Sequence, residues 1–127
     1  MPNKHILVAD DNHDAADCLV ELLSALGYEA HAAYDGQQAL ELERTTHPAM
    51  ALLDVEMPKM DGCEAARRMR EDDDAPAHIA SISALSFDDE PMRSRGRVFD
   101  AHFRKPLDAE ELANFVRHRL GPPDGSH

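Results

Sequence analysis

Apolar and polar positions along this chain alternate between two patterns: short unbroken apolar runs, and longer stretches with an apolar residue every three or four positions. Met50 followed by Ala51-Leu52-Leu53-Asp54 is the clearest run. An unbroken run of this length reads as a strand buried on both faces, and Pro58 cannot continue a central strand, so the strand ends near Asp54. His5-Ile6-Leu7-Val8-Ala9 is a second run, ending on Asp10-Asp11. Ile79 to Leu85 predicts a fourth strand and Ala101-His102-Phe103 a short fifth; Tyr28 to Ala33, with weaker alternation, predicts a less apolar outer strand.

Helical spacing fills the intervals. Ala15, Cys18, Leu19, Leu22, Leu23 and Leu26 recur at helical period, with Asp11 or Asn12 as the cap and Gly27 as a left-handed stop. Asp35-Gly36 opens a helix holding Ala39, Leu40 and Leu42, closed before Pro48. Asp61 with Glu64, and Asp108 with Glu111, have the spacing of capping boxes. They start helices containing Cys63, Ala66 and Met69, and Leu112, Phe115, Val116 and Leu120. Ser86 with Asp89 suggests a cap for the remaining helix, but Phe87, Met92 and Val98 form a poor apolar stripe, so it is expected to be the least stable. Five strand signals alternating with five helix signals predict an α/β fold, a parallel sheet wrapped on both faces.

Composition narrows this picture. At 127 residues and 43% hydrophobic content the chain fits one domain with a real core, expected over residues 1–120, with 121–127 as a mobile tail after Gly121-Pro122-Pro123. A formal charge of −12 disfavours nucleic acid and anionic membranes as partners and favours divalent cations and basic partners. Two cysteines, both in helical patterns, suit reduced core thiols in a cytoplasmic protein. No apolar stretch approaches the ~20 residues of a membrane span, so neither export nor insertion is expected. The eight histidines are scattered without ligand spacing and are read as surface or packing residues, His102 excepted.

Four of the five predicted strands end on a chemically capable side chain: Asp10 and Asp11, Asp54, Ser83, and Lys105. In an open parallel sheet these ends converge on one crevice. Clustered carboxylates repel unless a cation lies between them, and an oxygen-only donor set suits Mg²⁺. A hydroxyl and an ammonium complement the remaining oxygens of a phosphoryl group, so the set describes phosphoryl transfer to a carboxylate. Singly, each residue has a plainer use: a turn for Asp54, a helix cap for Asp10-Asp11, a core hydroxyl for Ser83, a surface lysine for Lys105.

Taken together and in order, Asp10-Asp11 after Ile-Leu-Val-Ala, Asp54 before Val-Glu-Met-Pro-Lys-Met-Asp-Gly, Ser83-Ala84 and Lys105-Pro106 resemble the receiver domain of two-component response regulators. The similarity runs from about His5 to Leu120. It implies a doubly wound, flavodoxin-like (βα)5 fold with strand order 2-1-3-4-5. It further implies that Asp54 accepts a phosphoryl group from a phosphohistidine on a sensor histidine kinase or histidine phosphotransfer domain. Asp11 and Asp54 would ligate Mg²⁺ directly, Asp10 largely through water, and the backbone carbonyl of Glu56 would add a ligand. Lys105 would pair with Asp54 and then with the phosphoryl group, which Ser83 would hydrogen-bond.

Output in the family is a switch in which the hydroxyl residue, Ser83, moves and a residue three before the lysine follows. Here that residue is His102, where Tyr or Phe is more usual; a histidine can pack as an aromatic or charge near neutral pH. The glycine commonly found shortly before the fifth strand is replaced near Val98, with Gly96 two residues earlier, and Glu56 and Leu85 occupy positions associated in the family with dephosphorylation rate. The resemblance implies a signalling domain with no enzymatic activity beyond its own phosphorylation and dephosphorylation. Alternatives are a phosphorylation-independent docking module and a Mg²⁺-dependent phosphatase. The phosphatase needs an Asp where this chain has Glu56, and a nucleophile on the first strand. His102 and the Phe99-Asp100 lead-in are similar to receivers attached to hybrid kinases, so the domain is either free-standing or part of such a kinase.

Overall fold

The computed structural model describes residues 4–86 and 88–123. In chain order the elements are β1 (His5–Ala9), α1 (His13–Ala25), β2 (Glu29–Ala33), α2 (Gly36–Thr46), β3 (Met50–Asp54), α3 (Gly62–Arg70), β4 (His78–Ser83), α4 (Met92–Arg95), β5 (Ala101–Arg104) and α5 (Ala109–Leu120), with a 3₁₀ turn at Gly96–Val98. All strand pairs are parallel, in the order β2-β1-β3-β4-β5. This is the doubly wound arrangement expected.

Alternation along the strands divides the core in two. Ile6, Val8, Met50 and Leu52 join Leu19 and Leu23 of α1 and Leu112 and Val116 of α5 on one face. Leu7, Ala9, Ala51 and Leu53 join Leu40 of α2 and Ala66 and Met69 of α3 on the other. Every residue of β3 is buried, as an unbroken apolar run in the sheet centre requires, whereas edge strand β2 buries only Ala33.

Four helix starts follow the residues read as caps. The side chains of Asn12, Asp35, Asp61 and Asp108 accept hydrogen bonds from the backbone amides of Ala15, Gln38, Glu64 and both Glu110 and Glu111. Gly27, at φ +100°, closes the α1 turn, where a Cβ would come within 2.8 Å of the Pro123 ring. The Tyr28 hydroxyl donates to the Gly121 carbonyl at 2.7 Å, and the Lys4 ammonium donates to that of Pro122. The rest of the expected tail, 124–127, lies outside the described residues.

Three expectations need correction. The buried stripe of α1 is Ala16, Leu19 and Leu23, and Cys18 is exposed, because the core face lies one position round from the one read off the spacing. In α2 the buried member after Ala39 and Leu40 is Glu43, with Leu42 half-buried. The fourth helix is a single turn that begins at Pro91 without a side-chain cap; Ser86 and Asp89 hydrogen-bond within the preceding turn instead, and Phe87 lies outside the described residues. That turn is tied to α3. Arg95 forms a two-pronged pair with Asp61, the α3 cap, and Arg70 reaches the Val98 carbonyl and Asp100.

Candidate functional site

β1 and β3 are neighbours, so their ends bring Asp10 and Asp54 to one edge of the sheet. β1 stops as Asp10 turns out of the ladder, its Oδ1 accepting from the Asn12 amide at 2.9 Å while its own amide still donates to the Ala33 carbonyl. β3 stops in the same way, with Asp54 Oδ1 accepting from the Glu56 amide at 3.2 Å. Gly62 makes the following turn fit: a Cβ there would lie 2.4 Å from the Asp54 carbonyl oxygen and 2.9 Å from Val55 Cα. The turn itself carries Lys59 at φ +68°.

Asp10 and Asp54 are 7% and 3% exposed, while Asp11 is open to solvent. One carboxylate oxygen from each of the three lies within 4.8 Å of the others. The Lys105 ammonium, delivered by the turn after β5, donates to Asp10 Oδ2 at 3.1 Å and to Asp54 Oδ2 at 3.4 Å. The resting lysine therefore bridges two carboxylates, where pairing with Asp54 was expected. Its amide donates to the Ser83 carbonyl, tying the turn to the end of β4.

The electrostatics follow from this crowding. Burial, then the neighbouring Asp10 charge, push the Asp54 carboxyl pKa above the usual range, and Lys105 only partly opposes them. Burial works against the Lys105 charge too, but the hydrogen bond and charge of Asp10, together with those of Asp54, outweigh it and raise the lysine pKa. One ammonium does not neutralise three carboxylates. The deficit, with an all-oxygen donor set at bridging distance, fits a hard divalent cation such as Mg²⁺.

Ser83 is 2% exposed, and its Oγ accepts from the Leu85 amide at 3.0 Å, which ends the strand two residues before its predicted limit. It follows Ile82, the register partner of Asp54. His102 is half-buried on β5, its Nδ1 2.7 Å from the Ser81 hydroxyl and its ring edge-on to Phe99 at 5.7 Å. Burial pushes its pKa below the ordinary histidine value. Glu56 is exposed and Leu85 half-buried at the rim.

Sequence reasoning missed the groove beside this edge. A cavity of about 410 Å³ runs between α1 and the turn after β5, lined by Leu19, Leu22, Ile82 and Leu107 and by the exposed Cys18, with Asp10 and Lys105 at its end. The spacing along α1 placed Cys18 in the core, so no sequence signal pointed to this groove.

Known proteins agree with this geometry. The family model for the response regulator receiver domain matches residues 6–117. Sporulation initiation phosphotransferase F of Bacillus subtilis is 32% identical over 94% of this chain and 96% of its own length. The probable transcriptional regulator ycf27 of Porphyridium aerugineum is also 32% identical, and this chain spans about half (49%) of its length. Among solved structures, the receiver domain of a sensor histidine kinase from Pseudomonas aeruginosa PAO1, described with magnesium in its active-site cleft, is similar with a TM-score of 0.82 and 25% identity, over 94% of this chain and 98% of that one. A match across nearly every element, with the acidic strand ends in place, shows that this chain belongs to the response regulator receiver domain family, the signalling domains of two-component phosphorelays.

Proposed function

We propose that Asp54 is the phosphoacceptor of this receiver and that residues 1–120 form the working unit. The observation that carries this reading is the Lys105 ammonium lying between two buried carboxylates at adjacent strand ends, Asp10 and Asp54. A purely structural ion pair needs one carboxylate; a second, and a third in Asp11, add repulsion that a bound cation offsets.

Asp10, Asp11 and Asp54 would hold Mg²⁺, with Asp10 acting largely through water and the Glu56 carbonyl as a further ligand. The ion supplies charge neutralisation for the transferring phosphoryl oxygens. An Asp54 carboxylate oxygen forms the new bond to phosphorus as the P–N bond of a phosphohistidine breaks, and the electron pair returns to the donor imidazole. Lys105 then turns from the carboxylates to the phosphoryl oxygens, and the Ser83 hydroxyl exchanges its hydrogen bond with the Leu85 amide for one to the phosphoryl group. Because Lys105 and Ser83 are joined through the main chain, movement of one is passed to the other. His102 is the neighbouring ring that responds on the α4 face.

The donor is a sensor histidine kinase or a histidine phosphotransfer domain, docked in the apolar groove beside Asp10 and Lys105. The protein acts in the cytoplasm, as a phosphoacceptor and not as a turnover enzyme, and binds neither nucleic acid nor membrane. Among the described residues no helix is long and apolar enough to cross a membrane.

Acetyl phosphate with Mg²⁺, followed by intact mass, tests the reading. One phosphoryl group is expected on the wild-type chain and none on Asp54→Asn; equal labelling of both, or none on either, overturns it. A Cys18→Glu variant tests the groove separately, since it is expected to slow transfer from a phosphohistidine protein about ten-fold while labelling by acetyl phosphate is unchanged.

A further inference from the structure

β1 begins on His5 and edge strand β2 on Glu29, and the parallel register pairs these two residues directly. His31, two positions along β2, shares the face of Glu29. Residues 24 to 26 positions apart in sequence are thereby gathered at the starting edge of the sheet, the end opposite the acidic site.

The side chains converge on one point. His5 Nε2 lies 2.6 Å from Glu29 Oε2, and His31 Nε2 lies 3.8 Å from Glu29 Oε1, so the two imidazoles address different oxygens of one carboxylate. Their rings are 5.9 Å apart and inclined at 60°, and one donor atom from each of the three residues lies within 4.8 Å of the other two. His5 Nδ1 is buried, which leaves Nε2 as its ligating nitrogen. The three side chains are 39%, 60% and 37% exposed and border a cavity of about 540 Å³.

Ion pairs this exposed contribute at most ~1 kcal/mol, so ordering a second histidine about the same carboxylate gains little as a structural device. Two imidazole nitrogens and a carboxylate oxygen instead form a borderline-soft donor set, which suits Zn²⁺ and is poorly matched to Mg²⁺. We propose that His5, Glu29 and His31 bind a Zn²⁺ ion, which joins edge strand β2 to β1 and keeps its remaining coordination positions open to water. The Lys4 ammonium, also at the cavity, donates to the Pro122 carbonyl.

The test uses the full-length, untagged, chelator-treated chain, titrated with ZnCl₂ by calorimetry in excess MgCl₂, which occupies the acidic edge. One equivalent of Zn²⁺ is expected to bind, shifting the side-chain ¹⁵N resonances of His5 and His31 and no other histidine. His31→Gln and Glu29→Gln are each expected to weaken binding by about ten-fold or more. Asp54→Asn is expected to bind Zn²⁺ as the wild type does. Mg²⁺-dependent labelling of His31→Gln by acetyl phosphate, or its circular dichroism should labelling fail for all variants, establishes that it is folded. Unaltered Zn²⁺ affinity in folded His31→Gln, loss of binding in Asp54→Asn, or no binding by the wild type overturns the proposal.

Discussion

Strand β1 carries a different cluster at each end. After its last residue, Asp10 meets Asp11, Asp54 and Lys105; at its first, His5 meets Glu29 and His31. Roughly 17 Å of strand separates them, at about 3.3 Å per residue. The forward cluster is made of oxygen donors, two of them nearly sealed from solvent, and its carboxylates are crowded beyond what one ammonium balances. The rear cluster mixes nitrogen with oxygen and is washed by water. Burial raises the cost of uncompensated charge at the forward end, whereas solvent offsets it at the rear. The contrast is set by depth and donor type rather than by charge count.

The contrast breaks most readily at the forward end. Removing Mg²⁺ with a chelator, or making Asp10→Ala, is expected to abolish phosphoryl labelling by acetyl phosphate, measured by intact mass; labelling that survives both would show that the acidic edge works without a cation. Next in size is Gly62→Ala. Its new Cβ would strike the main chain of Asp54 and Val55, so a loss of about 3 kcal/mol in urea unfolding is expected, with slower labelling as the acceptor is displaced.

A buried acid away from the forward edge sharpens the point. Glu43 is 1% exposed, and burial followed by its hydrogen bond to Asp72 raises its pKa to about 8 from an ordinary 4.5. A carboxyl raised in this way favours the folded state most when protonated. Its contribution is complete below pH 4.5 and is lost as pH rises through about 8. Glu43→Gln is therefore expected to gain about 2 kcal/mol over wild type at a pH above that range, with the gain shrinking steadily in acid, read from urea midpoints across pH. The smallest effect belongs to the rear cluster. Without added metal, Glu29→Gln is expected to change stability by less than about 0.5 kcal/mol, and a larger loss would mean that the exposed pairs there matter structurally.

Much of the molecule was legible because the signals were local. A cap and the amide it accepts from lie within three residues, as with Asn12, Asp35, Asp61 and Asp108, and β3 announces its burial by its own composition. The forward cluster was legible because parallel strands all end at one edge, so any chemistry at those ends must meet. The rear cluster was invisible, since only the β1–β2 register brings His5 to Glu29, and the histidines looked scattered along the chain. Glu43 was passed over although it follows Ala39 by one helical turn, because an acid on an apolar stripe reads as its boundary. The fourth helix was hard to read because it buries only Met92 and is otherwise held by ion pairs to α3, its own Arg95 to Asp61 and Arg70 to Asp100 just beyond it.

The contact between Lys4 and Pro122 joins backbone segments 118 residues apart in sequence. A few linking residues in place of the flanking ones would suffice to close the polypeptide into a ring, and cutting that ring at the exposed Asp73-Asp74 turn would yield a circular permutant. The acidic edge would keep its geometry while the order of the strands along the chain changed.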